Sequence, residues 1–152
     1  PRIPTPVPLY LRTPRKMIIV KEEPRAAVIG RLRTPAGLVV VANTHLSYVP
    51  GWGRLQLRRI QRDLAPLQEP VILMGDFNMA DNRPATVTGY RPLARHFTFP
   101  VDKPDRQLDH ILIRGRLGDV TTTSAPALPL SDHRALIVEL STAKSETAND
   151  QH

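Results

Sequence analysis

The stretch Val71-Ile72-Leu73-Met74-Gly75-Asp76-Phe77-Asn78 decides the fold. Its first four residues follow Pro70, are all apolar, and have the length of a strand rather than a helix. An unbroken apolar run of this kind predicts a strand buried on both faces of a sheet. The strand ends at Gly75, and two polar groups, Asp76 and Asn78, follow at once. In layered α/β folds ligands bind beyond strand ends, because neighbouring strands bring residues distant in sequence together there.

Three more stretches share this layout: Asn43-Thr44-His45-Leu46, Leu108-Asp109-His110-Ile111 and Ser131-Asp132-His133. Strands are expected over 17–20, 26–32, 38–42, 71–74, 108–113, 120–123 and 135–140, with a turn at Thr34-Pro35-Ala36-Gly37. Between the first and second of the four marked stretches, Leu57, Ile60, Leu64 and Leu67 recur at three- and four-residue spacing. That spacing predicts a helix over 53–67, interrupted late by Pro66 and stopped by Pro70. A proline-rich lead-in over 1–16 excludes a helix or central strand and reads as extended, and the polar tail 141–152 reads as disordered. Residues 17–140 form one core, with no internal repeat and no linker.

Composition narrows the chemistry. The 152 residues include no cysteine, so disulfides, thiolate metal sites and cysteine nucleophiles are excluded, and oxygen and imidazole groups must do the work. The formal charge is +7, carried mostly by arginine, which favours polyanions such as nucleic acid or phospholipid head groups. A coding bias toward arginine, proline, alanine and valine gives the same balance. No apolar run approaches the roughly 18–20 residues of a membrane-spanning helix, and no leader is visible, so a soluble, cytoplasmic protein is the default expectation. The chain opens on Pro1, which fits a processed, excised or shortened protein.

Carboxylates with amide oxygens are the ligand type of Mg²⁺ or Mn²⁺, and nearby imidazoles move protons or stabilise a phosphoryl transition state. An unpaired carboxylate inside an apolar strand is costly, so Asp109 requires a partner. His110 adjoins it and points to the other sheet face, in a structural or surface role. His96 has no motif around it. Trp52, between two glycines, packs a loop on the helix or stacks on a ligand. Arg54, Arg58, Arg59 and Arg62 form a solvated helix face or touch phosphates.

In this order, from about Glu23 to Leu140, the four motifs resemble the endonuclease/exonuclease/phosphatase superfamily, which includes pancreatic deoxyribonuclease, apurinic endonucleases, neutral sphingomyelinases and inositol phosphatases. Thr98-Phe99-Pro100 is similar to the loop before the catalytic strand in bacterial members. The resemblance implies an α/β fold, the C-terminal half of a four-layer α/β/β/α sandwich. This half would be one mixed, largely antiparallel sheet with flanking helices and a site at one edge. It implies Mg²⁺- or Mn²⁺-dependent hydrolysis of a phosphate ester by in-line attack of an activated water.

By motif, Asp76 orients or deprotonates the water, and Asn78 holds phosphate or metal. His45 contacts phosphate or protonates the leaving oxygen, and Asn43 is a supporting group or a plain strand-end hydrogen bond. Asp132 is metal-associated, together with Asp76 and Asn78, while His133 acts at the phosphate, oriented by Asp109. The family's metal-binding glutamate and first sheet belong upstream of Asn43, and Glu22 and Glu23 read instead as a hairpin turn. The expected partners are thus a phosphate-ester substrate, including nucleic acid or a phospholipid head group, and an N-terminal half of the same fold. The alternative is a catalytically silent binding fragment or structural pseudo-domain.

Overall fold

A computed structural model describes residues 9–12, 17–20 and 24–141, the first two segments for their strand pairing alone. Within the lead-in, β1 (Leu9–Arg12) pairs antiparallel with β2 (Met17–Val20). The rest of the lead-in, the Glu22–Glu23 turn and the tail from 142 lie outside the described residues.

The main sheet has five strands in the order β3-β4-β5-β7-β6. β3 (Ala27–Thr34) and β4 (Gly37–Thr44) form a hairpin whose register, Thr34 opposite Gly37, leaves a two-residue loop. Gly37 sits at φ 118°, and Thr34 Oγ1 donates to its carbonyl at 2.8 Å. A parallel neighbour needs a crossover, and α1 (Trp52–Leu64) supplies it, returning the chain to β5 (Val71–Asp76) beside β4. β7 (Asp109–Arg114) pairs antiparallel with β5, and the two-residue β6 (Arg91–Pro92) closes that edge. β8 (Val120–Ser124) and β9 (Ile137–Leu140) form a separate antiparallel ribbon with an irregularity between Val120 and Thr122. The main sheet is thus mixed and largely antiparallel, and the last two expected strands pair with each other rather than extending it.

One face of the sheet is dry. Leu57, Ile60 and Leu64 of α1 are buried against Val40, Ala42, Val71, Leu73 and Leu112, joined by Leu46, Phe77 and Tyr90. Burying each such side chain contributes about 1.5–3 kcal/mol, which outweighs the helix's weak start at an uncapped Gly51. The helix stops at Leu64, three residues short of the extent its periodicity predicts, because Pro66 has no N–H to give and its ring opposes another turn. The freed carbonyls of Leu64 and Leu67 are taken instead by the Arg114 guanidinium, at 3.0 and 2.6 Å. Leu67 still packs on the core. A short helix, α2 (Arg83–Thr88), has too few residues to show a period, but proline near its start and a left-handed Gly89 at its end mark it.

The other face is only partly covered. Val41, Ile72, Met74 and Ile111 are half-buried, and at the edge strand Val28 and Leu32 stand 75% and 52% exposed. Gly75 lies against the end of β4. A Cβ there would fall 1.9 Å from the Thr44 carbonyl oxygen and 2.8 Å from Asn43 Oδ1, and its φ of +132° is foreign to L side chains. Gly75→Ala should therefore cost more than about 2 kcal/mol in urea unfolding, since both backbone strain and a backbone clash oppose it. Unchanged stability would show that the two strands can separate without loss.

Candidate active site

Strand register sets the site. Asp76, the last residue of β5, lies directly opposite Asp109, the first of β7, so both carboxylates rise from the same partly covered face. Phe77 then turns inward, wholly buried, and returns Asn78 to the site side. Asn78 takes φ 50°, a left-handed conformation that asparagine tolerates, and its N–H donates to Asp76 Oδ1 at 2.8 Å. The sheet's hydrogen bonding continues past the strands through Leu46 N–H to the Asp76 carbonyl and Phe77 N–H to that of Leu108, both 2.9 Å. Asp76 and Asn78 are held as part of the sheet rather than as a free loop.

His133 occupies the space beside the two carboxylates. Its Nδ1 is 2.8 Å from Asp109 Oδ2, and its Nε2 faces Asp76 Oδ2 at 3.9 Å. The partner that a strand carboxylate requires is therefore this imidazole. His45 follows β4 with its side chain 60% exposed, its Nε2 3.5 Å from Asp76 Oδ2 and 3.2 Å from Asn78 Nδ2. Asn78 Nδ2 also donates to the Leu46 carbonyl at 3.0 Å, so its amide oxygen stays without a partner among the described residues.

The electrostatics follow from this packing. Burial lifts the Asp76 carboxyl above the ordinary aspartate value and the Asp109 charge adds to this, against the Asn78 N–H and the two histidines. Burial alone would lower His133, but the Asp109 hydrogen bond and the charges of Asp109, Asp76 and Asp132 together outweigh it and raise the imidazole's pKa. The arrangement is a basic carboxylate next to an imidazole that readily holds a proton.

His133 is placed by a loop whose fastening the sequence signals only faintly. Buried Thr98 accepts the N–H groups of Leu108 and Asp109 at its hydroxyl, at 3.2 and 3.3 Å, while its carbonyl takes the Arg134 N–H at 2.7 Å. Val101 N–H donates to the Asp132 carbonyl at 2.7 Å, and the Phe99 ring packs against His133 at 4.8 Å. A cis bond joins Phe99 to Pro100. Gln56, on the buried face of α1, likewise fixes the loop after His45 by accepting the Ser47 N–H at 2.9 Å. Nothing in the spacing of the motifs points to Gln56.

The structure thus brings His45, Asp76, Asn78, Asp109 and His133 to one edge. Asn43 stands on the same face beside Gly75, next to Asp109 and Leu136 in a small cavity. Asp132 is exposed, and its carboxylate makes no hydrogen bond or ion pair among the described residues; its charge reaches the site through His133. Asp76 and Asn78 offer oxygens suited in kind to a hard divalent cation. In number they fall short, since no three or more His, Asp or Glu side chains among the described residues are arranged so that they could hold a metal ion.

His96 bonds Thr123 Oγ1 at 2.8 Å, away from these groups. Trp52 is half-buried at the start of α1, where its N–H caps the Val49 carbonyl at 3.1 Å. The helix arginines are exposed, with Arg59 paired to Asp63 at 3.2 Å.

A mixed sheet with helices packed on one face and an Asp–His–Asp cluster at its strand ends defines the class: a layered α/β protein with a polar site at the sheet edge. The chain belongs to the endonuclease/exonuclease/phosphatase family, whose sequence profile matches residues 4–133. No curated protein matches it significantly. Among solved structures it is similar to a conserved protein of unknown function from Enterococcus faecalis, with 24% identity, TM-score 0.62, and coverage of 78% of this chain and 56% of that one. It is similar as well to a mannosyl-6-phosphatase from Bacteroides thetaiotaomicron, at 21%, 0.58, and 78% and 57%. A beta toxin from Staphylococcus aureus with bound magnesium ions gives 12%, 0.60, and 80% and 59%. The chain therefore spans a little over half the length of these structures, which share its fold.

His110 is buried, not at the surface: 3% exposed, it stacks on Phe77 at 5.6 Å, with Nε2 2.8 Å from the Met79 carbonyl. Burial lowers its pKa against the pull of that carbonyl and of Asp109 and Asp76. A histidine kept neutral in the fold but protonated near pH 6.5 when unfolded makes stability fall as pH drops below about 6.5 and recover as it rises. The stability advantage of the wild type over His110→Gln should therefore shrink between pH 7.5 and 5, by at most about 1.4 kcal/mol per unit. Paired urea titrations across that range measure it, and a gap that stays constant would mean His110 does not titrate differently on unfolding.

Proposed function

We propose that the chain carries the reacting side chains of a divalent-metal-dependent phosphate-ester hydrolase, acting by in-line attack of water. The observation that carries this reading is His133 held at Nδ1 by Asp109 with its Nε2 turned toward Asp76, while His45 and Asn78 meet the same carboxylate. Family membership supports it, as do a neighbour named a phosphatase and another solved with magnesium ions.

In this reading Asp76, made more basic by burial, accepts the proton of the attacking water. The water oxygen bonds to phosphorus as the bond to the leaving oxygen breaks. His133, its Nδ1–H given to Asp109 and its protonated form favoured by the surrounding carboxylates, donates Nε2–H as the imidazolium to a non-bridging phosphate oxygen, where charge grows. Exposed His45 holds the phosphate and protonates the leaving oxygen. Asp76 and Asn78 would hold Mg²⁺ or Mn²⁺, with Asp132 nearby, and the ion would supply positive charge to the phosphate.

The cation's remaining ligands and the cover of the open sheet face would come from a second half of the fold. The half-exposed face and the fraction of its neighbours that the chain spans both support this.

Hydrolysis of bis(p-nitrophenyl) phosphate with Mg²⁺ or Mn²⁺ tests the reading, using this chain and a longer one extended upstream. The longer chain should turn over, EDTA should stop it, and the 152-residue chain should be slower by an order of magnitude or more. Asp76→Ala should remove at least about 100-fold of the rate, whereas His96→Ala, which touches none of the clustered groups, should leave it within about twofold. Metal-independent turnover, or equal losses in the two variants, would refute the assignment.

A further inference from the structure

A cavity adjoins the candidate site without belonging to its machinery. About 720 Å³ in volume, it opens between the loop after β4 and helix α2 and meets the site at Asn78. Ligand pockets commonly have this size. Met79 and Val87, which pack on the core from below, give it an apolar floor, and Tyr48, 64% exposed, stands at its side. An exposed aromatic ring beside an apolar floor offers a flat group two surfaces to pack against.

The rim adds charge. Arg54 and Arg83 both line the cavity, and neither has an ion-pair or hydrogen-bond partner among the described residues. Asp81, at φ 62°, is the acidic group on the same wall, and it also borders a second depression lined by Arg95, His96 and Phe97, the last 55% exposed. The surface beside Asn78 therefore carries the exposed rings of Tyr48 and Phe97 together with the guanidinium groups of Arg54, Arg83 and Arg95. A solvated helix face does not require Arg54 to border an apolar cavity. A choline-type cation would fit the tyrosine but not the two arginines.

Resting on the hydrolase reading above, we propose that this cavity is the subsite for a nucleotide unit adjoining the scissile phosphate, with its base on Tyr48 and its next phosphate at Arg54 and Arg83. Rings and guanidinium groups together bind single-stranded nucleic acid with little sequence preference, because every base has a stacking face and every linkage a charge. Asp81 contributes an acceptor on the base side and keeps the phosphate toward the arginines.

The test is binding without turnover. Fluorescein-labelled oligothymidylate of about four nucleotides is titrated in EDTA against the full chain, with an abasic strand of equal length beside it. Tyr48→Ala should weaken the thymidylate on the order of tenfold and the abasic strand hardly at all, while Tyr48→Phe retains affinity. Arg54→Ala with Arg83→Ala should weaken both strands on the order of tenfold or more and flatten the salt dependence. Arg59→Ala, on the paired part of the helix, is the control for general charge.

Equal losses for both strands in Tyr48→Ala, or no loss in the double arginine variant, would overturn the assignment. Tyr48-dependent binding of phosphatidylcholine vesicles in place of the oligonucleotide would overturn it too. Side-chain-dependent binding without any turnover of bis(p-nitrophenyl) phosphate by the chain extended upstream would sink the hydrolase reading and leave the subsite standing. Turnover with binding unchanged in every variant would do the reverse.

Discussion

Two carboxylates face each other across neighbouring antiparallel strands, and the fold around them is arranged to make that tolerable. Asp76 and Asp109 are register partners, a placement in which like charges repel and which burial makes worse. The relief is the His133 imidazole, bonded to one carboxylate and directed at the other. Asp76 is further satisfied by the Asn78 N–H. Removing the histidine would leave a half-buried negative pair, so the site's chemistry and the local stability of the sheet end depend on the same three side chains.

Holding His133 there requires distant parts of the chain. The segment at 98–101 bonds both the start of β7 and the loop at 131–134, so the carboxylate and the imidazole are referenced to one rigid piece. On the other side, wholly buried Phe77 anchors the turn between Asp76 and Asn78 in the core that α1 completes. Helix packing thus reaches the site through Phe77 and through Gln56, whose amide oxygen fixes the loop after His45.

The division of the sheet into two unlike faces gives the molecule its character. The face under α1 is dry and supplies rigidity, whereas the face bearing Asn43, Asp76 and Asp109 is half-open, with apolar side chains at β3 still in solvent. A surface of that kind is normal for an interface and unusual for a finished exterior. It places the polar cluster where a second layer would wall a cleft and raise the strength of every charge in it.

The sequence by itself determined strands at 71–74 and 108–113, found as Val71–Asp76 and Asp109–Arg114, the helix on Leu57, Ile60 and Leu64, and the polar groups at the strand ends, since apolar periodicity and punctuation are local properties. It also required a partner for Asp109, because an unpaired carboxylate in a strand is costly wherever the strand lies. The family resemblance already paired Asp109 with His133; only tertiary structure decided how that contact is made, that β8 and β9 form their own ribbon, and that His110 is buried against Phe77. The same holds for Thr98 and Gln56, whose roles rest on backbone groups ten and nine residues away. Those outcomes depend on how strands register and how loops pack over them, and no window of neighbouring residues contains that information.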